Sequence, residues 1–309
     1  MKTIATLTMN PTIDVAYEVE SVFHTRKMRA GGEYYAPGGG GINVARVFVR
    51  LGGNARCIYL SGGPTGPALD GLVDLHQLVR MRIPISEPTR LSTAVFERGS
   101  GKEYRFVPPG PKVVPEEWQR CLDELAQVDC DYLVASGSLP PGVPTDFYGR
   151  VAAIMRDRGI GLVLDSSGEA LKQGLAAGGL LLVKPSLGEF RQLIGRDVET
   201  PEEIAEEASA IVAGGQAELV AVTMGHRGAV LARRDGALHL PAADIEARSA
   251  VGAGDSFLAA MVHALARGWD EEKAFRFGMA AGSAAVLTPG TNLAYPADIE
   301  RLFSSAAPG

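Results

Sequence analysis

The feature that most restricts this chain is an alternation of two patterns. Short apolar runs at residues 3–9, 56–60, 132–136, 161–165, 180–183 and 219–223 are separated by amphipathic stretches of helical spacing, such as 116–127, 147–158 and 201–213. Strand and helix signals in succession predict an α/β fold, a mostly parallel sheet with helices on both faces. Such sheets bind ligands beyond the carboxyl ends of their strands. The Gly- and Asp-containing segments of this sequence sit at those ends. A chain of 309 residues with 46% hydrophobic side chains can bury a large core. No internal repeat and no Pro- or Ser-rich linker divides it, so a single domain over 1–309 is expected.

Some segments break the pattern. Residues 13–20 and 33–36 read as short strands before the first helix. Residues 92–97 and 103–107 alternate by twos around Arg98-Gly99-Ser100-Gly101-Lys102, which is a hairpin signal. Together they suggest a small separate sheet, formed by about 12–36 and 88–109. An exposed hairpin is the plain reading. A lid is the sharper one, favoured because long insertions in compact domains are usually functional. A second hairpin, 228–233 and 237–240 around Asp235-Gly236, reads as an antiparallel edge of the main sheet.

Charge and cysteine content exclude several classes. A net charge of −6 leaves no electrostatic footprint for nucleic acid or an anionic membrane. No apolar run approaches the ~18 residues of a membrane helix. The start, MKTIATLTMNPTID, lacks the apolar stretch and small-residue cleavage site of a secretory signal. Three cysteines without CxxC spacing argue against a disulfide framework or a zinc site. A soluble cytoplasmic protein is expected.

Two segments carry chemistry. In Pro37-Gly38-Gly39-Gly40-Gly41-Ile42-Asn43-Val44-Ala45-Arg46 the glycines leave backbone able to approach a ligand, and a helix is expected to begin near Ile42 with Asn43 in its first turn. No GxxxxGK[ST] and no GxGxxG occurs, so neither a P-loop nor a dinucleotide fold is indicated. In the second, Gly252-Ala253-Gly254-Asp255 runs into a helix whose apolar positions Leu258, Met261, Val262 and Leu265 are spaced i, i+3, i+4, i+7, with Gly268 beyond its end. Small residues at a helix N-terminus expose N–H groups that hold negative charge. A carboxylate beside that anion hole suits phosphoryl transfer, with Asp255 taking the proton of an attacking hydroxyl.

These segments, with Asn10-Pro11-Thr12-Ile13-Asp14, Ser136-Gly137-Ser138-Leu139-Pro140-Pro141-Gly142, Asp165-Ser166-Ser167-Gly168 and Lys184-Pro185, resemble the ribokinase-like (PfkB) family of carbohydrate kinases across nearly the whole chain. Within it the chain is most similar to the PfkB-type 6-phosphofructokinases, through its four glycines and the segment Gly101-Lys102-Glu103-Tyr104-Arg105-Phe106-Val107. The resemblance implies a ribokinase-like mostly parallel sheet with a small β-sheet lid. It implies transfer of the γ-phosphoryl of MgATP to fructose 6-phosphate, with Asp255 as base and Gly252, Ala253 and Gly254 as anion hole. It places the sugar on Asp14, Asn43, Gly38 and Gly39. For the sugar's phosphate the residues themselves offer cations on the lid, namely Lys27, Arg29, Arg90 and Arg105. The resemblance supports Arg90, Arg105 and Ser138, and it has Lys27 reach the site of a neighbouring subunit in a lid-clasped homodimer. It puts ATP near Lys184, Ser186, Thr223, Gly225, Gly228, Met279 and Ser283. Magnesium would be ordered through water by Glu189. Potassium would lie on mostly backbone ligands at Ser249, Val251, Ala285, Thr288, Gly290 and Asn292.

Two departures stand out. Ser186 occupies the usual Asn position of Asn-x-x-Glu, and Ser249-Ala250 replaces a common Asp-Thr. A 1-phosphofructokinase or tagatose-6-phosphate kinase is the same-class alternative. A non-catalytic sugar-phosphate sensor is the alternative from another class, and a nicotinamide dehydrogenase is the weakest.

Overall fold

The computed structural model describes residues 1–245, 251–288 and 292–305. The first part of the chain carries β1 (Ile4–Thr8), β2 (Thr12–Val19), β3 (Gly31–Gly38), α1 (Gly40–Arg50), β4 (Ala55–Gly62), α2 (Gly66–Leu75), β5 (Val79–Ile85), β6 (Arg90–Glu97), β7 (Lys102–Phe106) and α3 (Pro115–Leu125). Alternation then sets in, through β8 (Tyr132–Ser136), α4 (Phe147–Asp157), β9 (Gly161–Asp165), α5 (Gly168–Ala176), β10 (Leu180–Val183), α6 (Leu187–Ile194), α7 (Pro201–Ala213) and β11 (Ala217–Thr223). The hairpin β12 (Ala229–Arg233) and β13 (Gly236–Leu240) precedes α8 (Ala253–Ala266), α9 (Glu271–Val286) and α10 (Pro296–Ser305).

Nine strands form one sheet in the order β13-β12-β11-β10-β9-β8-β1-β4-β5. From β11 to β5 every pairing is parallel, and β12 and β13 add antiparallel strands at one edge. The interior strands alternate between two cores. In β11, Leu219 and Ala221 join one and Val220 and Val222 the other; in β12, Ala229 and Leu231 oppose Val230 and Ala232. Helices α1, α2, α8, α9 and α10 cover the first core, and α3 to α7 cover the second. Both faces are therefore dry, which is why these strands read as unbroken apolar runs.

The edge strand β5 was invisible to that reading. Its sequence VRMRIPI carries two arginines and a proline, it pairs only with β4, and only Ile83 and Ile85 are buried. Charge and proline are tolerated where one side of a strand has no partner.

Four strands form the separate small sheet, ordered β3-β2-β6-β7. Pairs β2–β3 and β6–β7 are antiparallel and β2–β6 is parallel. Its connections to the main sheet run through Met9, Asn10 and Pro11 after β1 and through Pro37 and Gly38 into α1. Cys57, Cys121 and Cys130 are buried free thiols. Among the described residues no helix is long and apolar enough to cross a membrane.

Candidate active site

The glycine segment serves close approach. A Cβ on Gly38 would stand 2.2 Å from Asp14 Oδ2, one on Gly40 2.1 Å from Ser136 Oγ, and one on Gly41 2.5 Å from the Leu7 carbonyl oxygen. Gly39, at φ +110°, turns the chain from β3 into α1 in a conformation that L side chains avoid. The helix thus begins at Gly40 rather than near Ile42. At the end of β1, Thr8 Oγ1 accepts the Ile42 N–H at 2.9 Å, satisfying one of the free donors of the first turn. This seats Asn43 where its Nδ2 donates to Asp255 Oδ2 at 2.8 Å.

Asp255 stands in the first turn of α8, whose N-cap is Gly252 in the left-handed region at φ +72°. A Cβ there would also lie 2.5 Å from Leu293 Cδ2. The N–H groups of Ala253, Gly254 and Asp255 have no acceptor within the helix and point, with the helix dipole, out of its start. A Cβ on Gly254 would lie 3.4 Å from Lys184 Nζ, so the ammonium sits at the mouth of this anion hole. Lys184 is 4% exposed and pairs with Asp165 Oδ1 at 3.1 Å. The two meet because β9 and β10 are parallel neighbours, with Leu164 opposite Val183, and Asp165 and Lys184 follow at the strand ends. Asp165 had no assigned role in the sequence reading. Its signal was an Asp closing an apolar strand before a Ser-Ser-Gly turn.

A cavity of about 860 Å³ opens over these strand ends. Lys184, Ser186, Thr223, Gly225, Gly228, Met279 and Ser283 all line it, together with Glu189 and the segment from Gly252 to Asp255. Residues 242–245, His226 and Phe257 line it too and were not anticipated. Ser186 is the N-cap of α6: it and Glu189 form a capping box, with the Ser186 N–H donating to Glu189 Oε2 at 2.8 Å and its hydroxyl to the same oxygen at 2.7 Å. A Ser-x-x-Glu start therefore secures the helix in place of Asn-x-x-Glu.

On the other side of Asp255 lies the small sheet. Burial pushes the Asp14 carboxyl up to about 6, against the pull of Arg105, Arg46 and Arg90. Burial also pushes Asp255 up to about 6, helped by Asp165 and Asp14 and opposed by the Asn43 hydrogen bond and Lys184. Arg90 donates to three backbone carbonyls, Asn10 at 2.7 Å, Pro108 at 2.8 Å and Pro11 at 3.4 Å. It thereby ties the segment between β1 and β2 to the segment that follows β7, and two of the five guanidinium N–H groups remain. Ser138 is exposed and accepts from Asn10 Nδ2 at 3.3 Å. Arg105 is exposed on β7, and Lys27 and Arg29 are exposed between β2 and β3.

Of the expected potassium ligands, Ser249 and Gly290 lie outside the described residues. Thr288 Oγ1 donates to the carbonyls of Ala285 at 2.7 Å and Asn292 at 2.8 Å, which brings those two carbonyls together. Val251 leads into Gly252. Among the described residues no group of three or more His, Cys, Asp or Glu could hold a metal by itself.

Residues 7–298 match the pfkB family of carbohydrate kinases. The ATP-dependent 6-phosphofructokinase isozyme 2 of Mycobacterium tuberculosis is 44% identical over 306 residues, covering 98% of this chain and 90% of that protein. Phosphofructokinase-2 of Escherichia coli, solved with potassium, superposes with a TM-score of 0.95 at 36% identity over 99% of both chains. The same enzyme solved with fructose 6-phosphate gives 0.93 at 35%, again over 99% of both. Ribokinase of Arabidopsis thaliana shares the fold, with a TM-score of 0.75 at 19% identity and 98% of each chain covered. Matched over nearly its whole length, with Asn43, Asp255 and the start of α8 in one arrangement, this chain belongs to the pfkB family of carbohydrate kinases.

Proposed function

We propose that the protein is an ATP-dependent 6-phosphofructokinase that transfers the γ-phosphoryl of ATP to the 1-hydroxyl of fructose 6-phosphate. One observation carries the reading. Asp255 stands between the 860 Å³ cavity and Asn43, beside the N–H groups of its own helix turn that have no acceptor within the helix. A sugar hydroxyl on the Asn43 and Asp14 side gives its proton to Asp255 as it attacks the γ-phosphorus in line. The N–H groups of Ala253, Gly254 and Asp255 and the Lys184 ammonium meet the charge that grows on the phosphoryl oxygens. Names given to the Mycobacterium tuberculosis and Escherichia coli relatives favour fructose 6-phosphate over other sugar phosphates.

Magnesium bound with ATP would be held through water by Glu189 on the cavity wall and would neutralise phosphate charge. The donor set fits an ion held by phosphate and water, since carboxylates are scattered around the cavity and one Glu189 oxygen is committed to the helix cap. Potassium fits the paired carbonyls of Ala285 and Asn292. The small sheet acts as the lid. Its exposed Tyr35, Leu91 and Phe106 (46%, 44% and 62%) support a homodimer clasped through it, and the protein works in the cytoplasm. Lys27 and Arg29 then reach the phosphate from the lid.

The test is ADP release from MgATP, with and without potassium, against fructose 6-phosphate, fructose 1-phosphate, tagatose 6-phosphate and free fructose. A kcat/KM preference for fructose 6-phosphate is expected. Preference for another sugar would move the protein to the 1-phosphofructokinase or tagatose-6-phosphate group, and binding without turnover would make it a sensor. Arg90→Ala should raise KM for the sugar phosphate at least about tenfold, the worth of a charge-assisted hydrogen bond, with little change in KM for ATP. Equal loss of both would restrict Arg90 to holding the lid connections.

A further inference from the structure

Arg46, on α1 one turn after Asn43, is 2% exposed. Its Nη1 donates to Asn43 Oδ1 at 3.1 Å and to the Pro37 carbonyl at 3.0 Å. Among the described residues Nε and Nη2 have no hydrogen-bond partner. The Asp14 carboxylate and the Tyr34 hydroxyl are close enough to favour its charge, while burial and Arg50 oppose it. An apolar side chain of the same volume would fill this position more cheaply, because a buried cation with idle donors is costly. Core packing therefore gives no reason for an arginine here.

Its chemistry gives one. A guanidinium only donates, whereas an Asn side chain has a donating and an accepting end. With Arg46 on one side, the Asn43 carbonyl must face it, and the amide nitrogen must face Asp255. The reverse orientation would set donor against donor at Arg46 and oxygen against oxygen at Asp255. We propose that Arg46 is a positioning residue for the phosphoryl-transfer base: it orients the Asn43 carboxamide, which holds one Asp255 oxygen and leaves the other for the sugar hydroxyl. This rests on the kinase reading above. The remaining charges facing Asp255 are Asp165 and Lys184 from the strand ends and Asp14 from the lid, while the hydrogen bond to Asn43 Oδ1 comes from Arg46.

The experiment combines Arg46→Met and Arg46→Lys, each alone and with Asn43→Ala, read by kcat, by KM for both substrates and by the pH profile. In parallel, the Asp255 carboxyl is titrated by carbon-13 NMR in the unliganded chain, which needs no turnover. Arg46→Met should lower kcat about tenfold or more and leave KM for ATP in place. It should also move the acidic limb and the Asp255 titration upward by about half a pH unit or more, because the carboxylate loses a donor. Arg46→Lys should restore part of both. In the Asn43→Ala background, Arg46→Met should cost less than about twofold more. An unmoved Asp255 titration, or effects of Arg46→Met and Asn43→Ala that simply multiply, would overturn the proposal. If Arg46→Met does not fold, the lysine variant and its double substitution decide by the same two readouts. A wild-type protein with no turnover would overturn the kinase reading instead, and the titration tells the two failures apart.

Discussion

Asp255→Asn is expected to lower kcat by roughly 10²–10⁴, the usual worth of a positioned general base, with sugar-phosphate and ATP affinity largely kept. The asparagine is nearly isosteric and the anion hole is backbone, so binding does not depend on the carboxylate. Retained turnover would remove Asp255 from the base role. In the wild type, turnover should fall as the pH drops below about 6, where this carboxylate takes up its proton.

The same substitution has a thermodynamic signature of opposite sign. Because the folded chain raises the Asp255 carboxyl to about 6, it binds this proton more tightly than the unfolded chain, where an aspartate titrates near ~3.9. Stability contributed by the group is therefore gained as pH falls from about 6 and is missing above it, where the ionised carboxylate is a standing penalty on the order of 3 kcal/mol. Asp14, also raised to about 6, has the same sign, and its charge helps to raise Asp255. Asp255→Asn should thus melt above wild type at pH 8, with the difference closing toward pH 4. A lower Tm at pH 8 would mean that the bond from Asn43 outweighs the penalty of burial.

Lys184→Met is the second large effect. It leaves Asp165, which burial already pushes up, without the ammonium 3.1 Å away. Breaking a buried pair from one side costs about 3–5 kcal/mol, of which protonation of Asp165 returns a part. The cation at the mouth of the anion hole is lost as well, so kcat/KM for ATP should fall at least about a hundredfold, the scale of removing one transition-state donor. Urea denaturation and steady-state kinetics separate the two losses. Adding Asp165→Leu should recover most of the stability and none of the turnover. Recovery of both would make the pair structural only.

Legibility differed by the range of the interaction. The strands β8, β9 and β10 and the helix α7 begin and end where the periodicity predicted, because burial on both faces leaves an unbroken apolar run and a Thr-Pro start with Glu203 marks a helix. The start of α1 was misplaced toward Ile42 because glycines carry no period, and β5 was missed because an edge strand needs no apolar face. The nucleotide residues that the resemblance implied all line the cavity: Lys184, Ser186, Thr223, Gly225 and Gly228 sit at strand ends and the turns after them, and Met279 and Ser283 on α9.

Arg90 shows the limit. An arginine before a hairpin is legible as a cation, yet its engagement with Asn10, Pro11 and Pro108 depends on segments far apart in the chain. By itself the sequence determined most of the element types, the parallel sheet with its separate small sheet, and the two glycine segments that the fold brings together at Asn43 and Asp255. These follow from side-chain period, glycine conformation and helix-end chemistry, all set within a few residues. Only the tertiary structure decided that Asp165 meets Lys184, that Arg46 turns Asn43 toward Asp255, and that His226 faces the cavity. Those partners depend on the strand order and on which helix covers which face. Long-range packing settles both, and no stretch of neighbouring residues encodes either one.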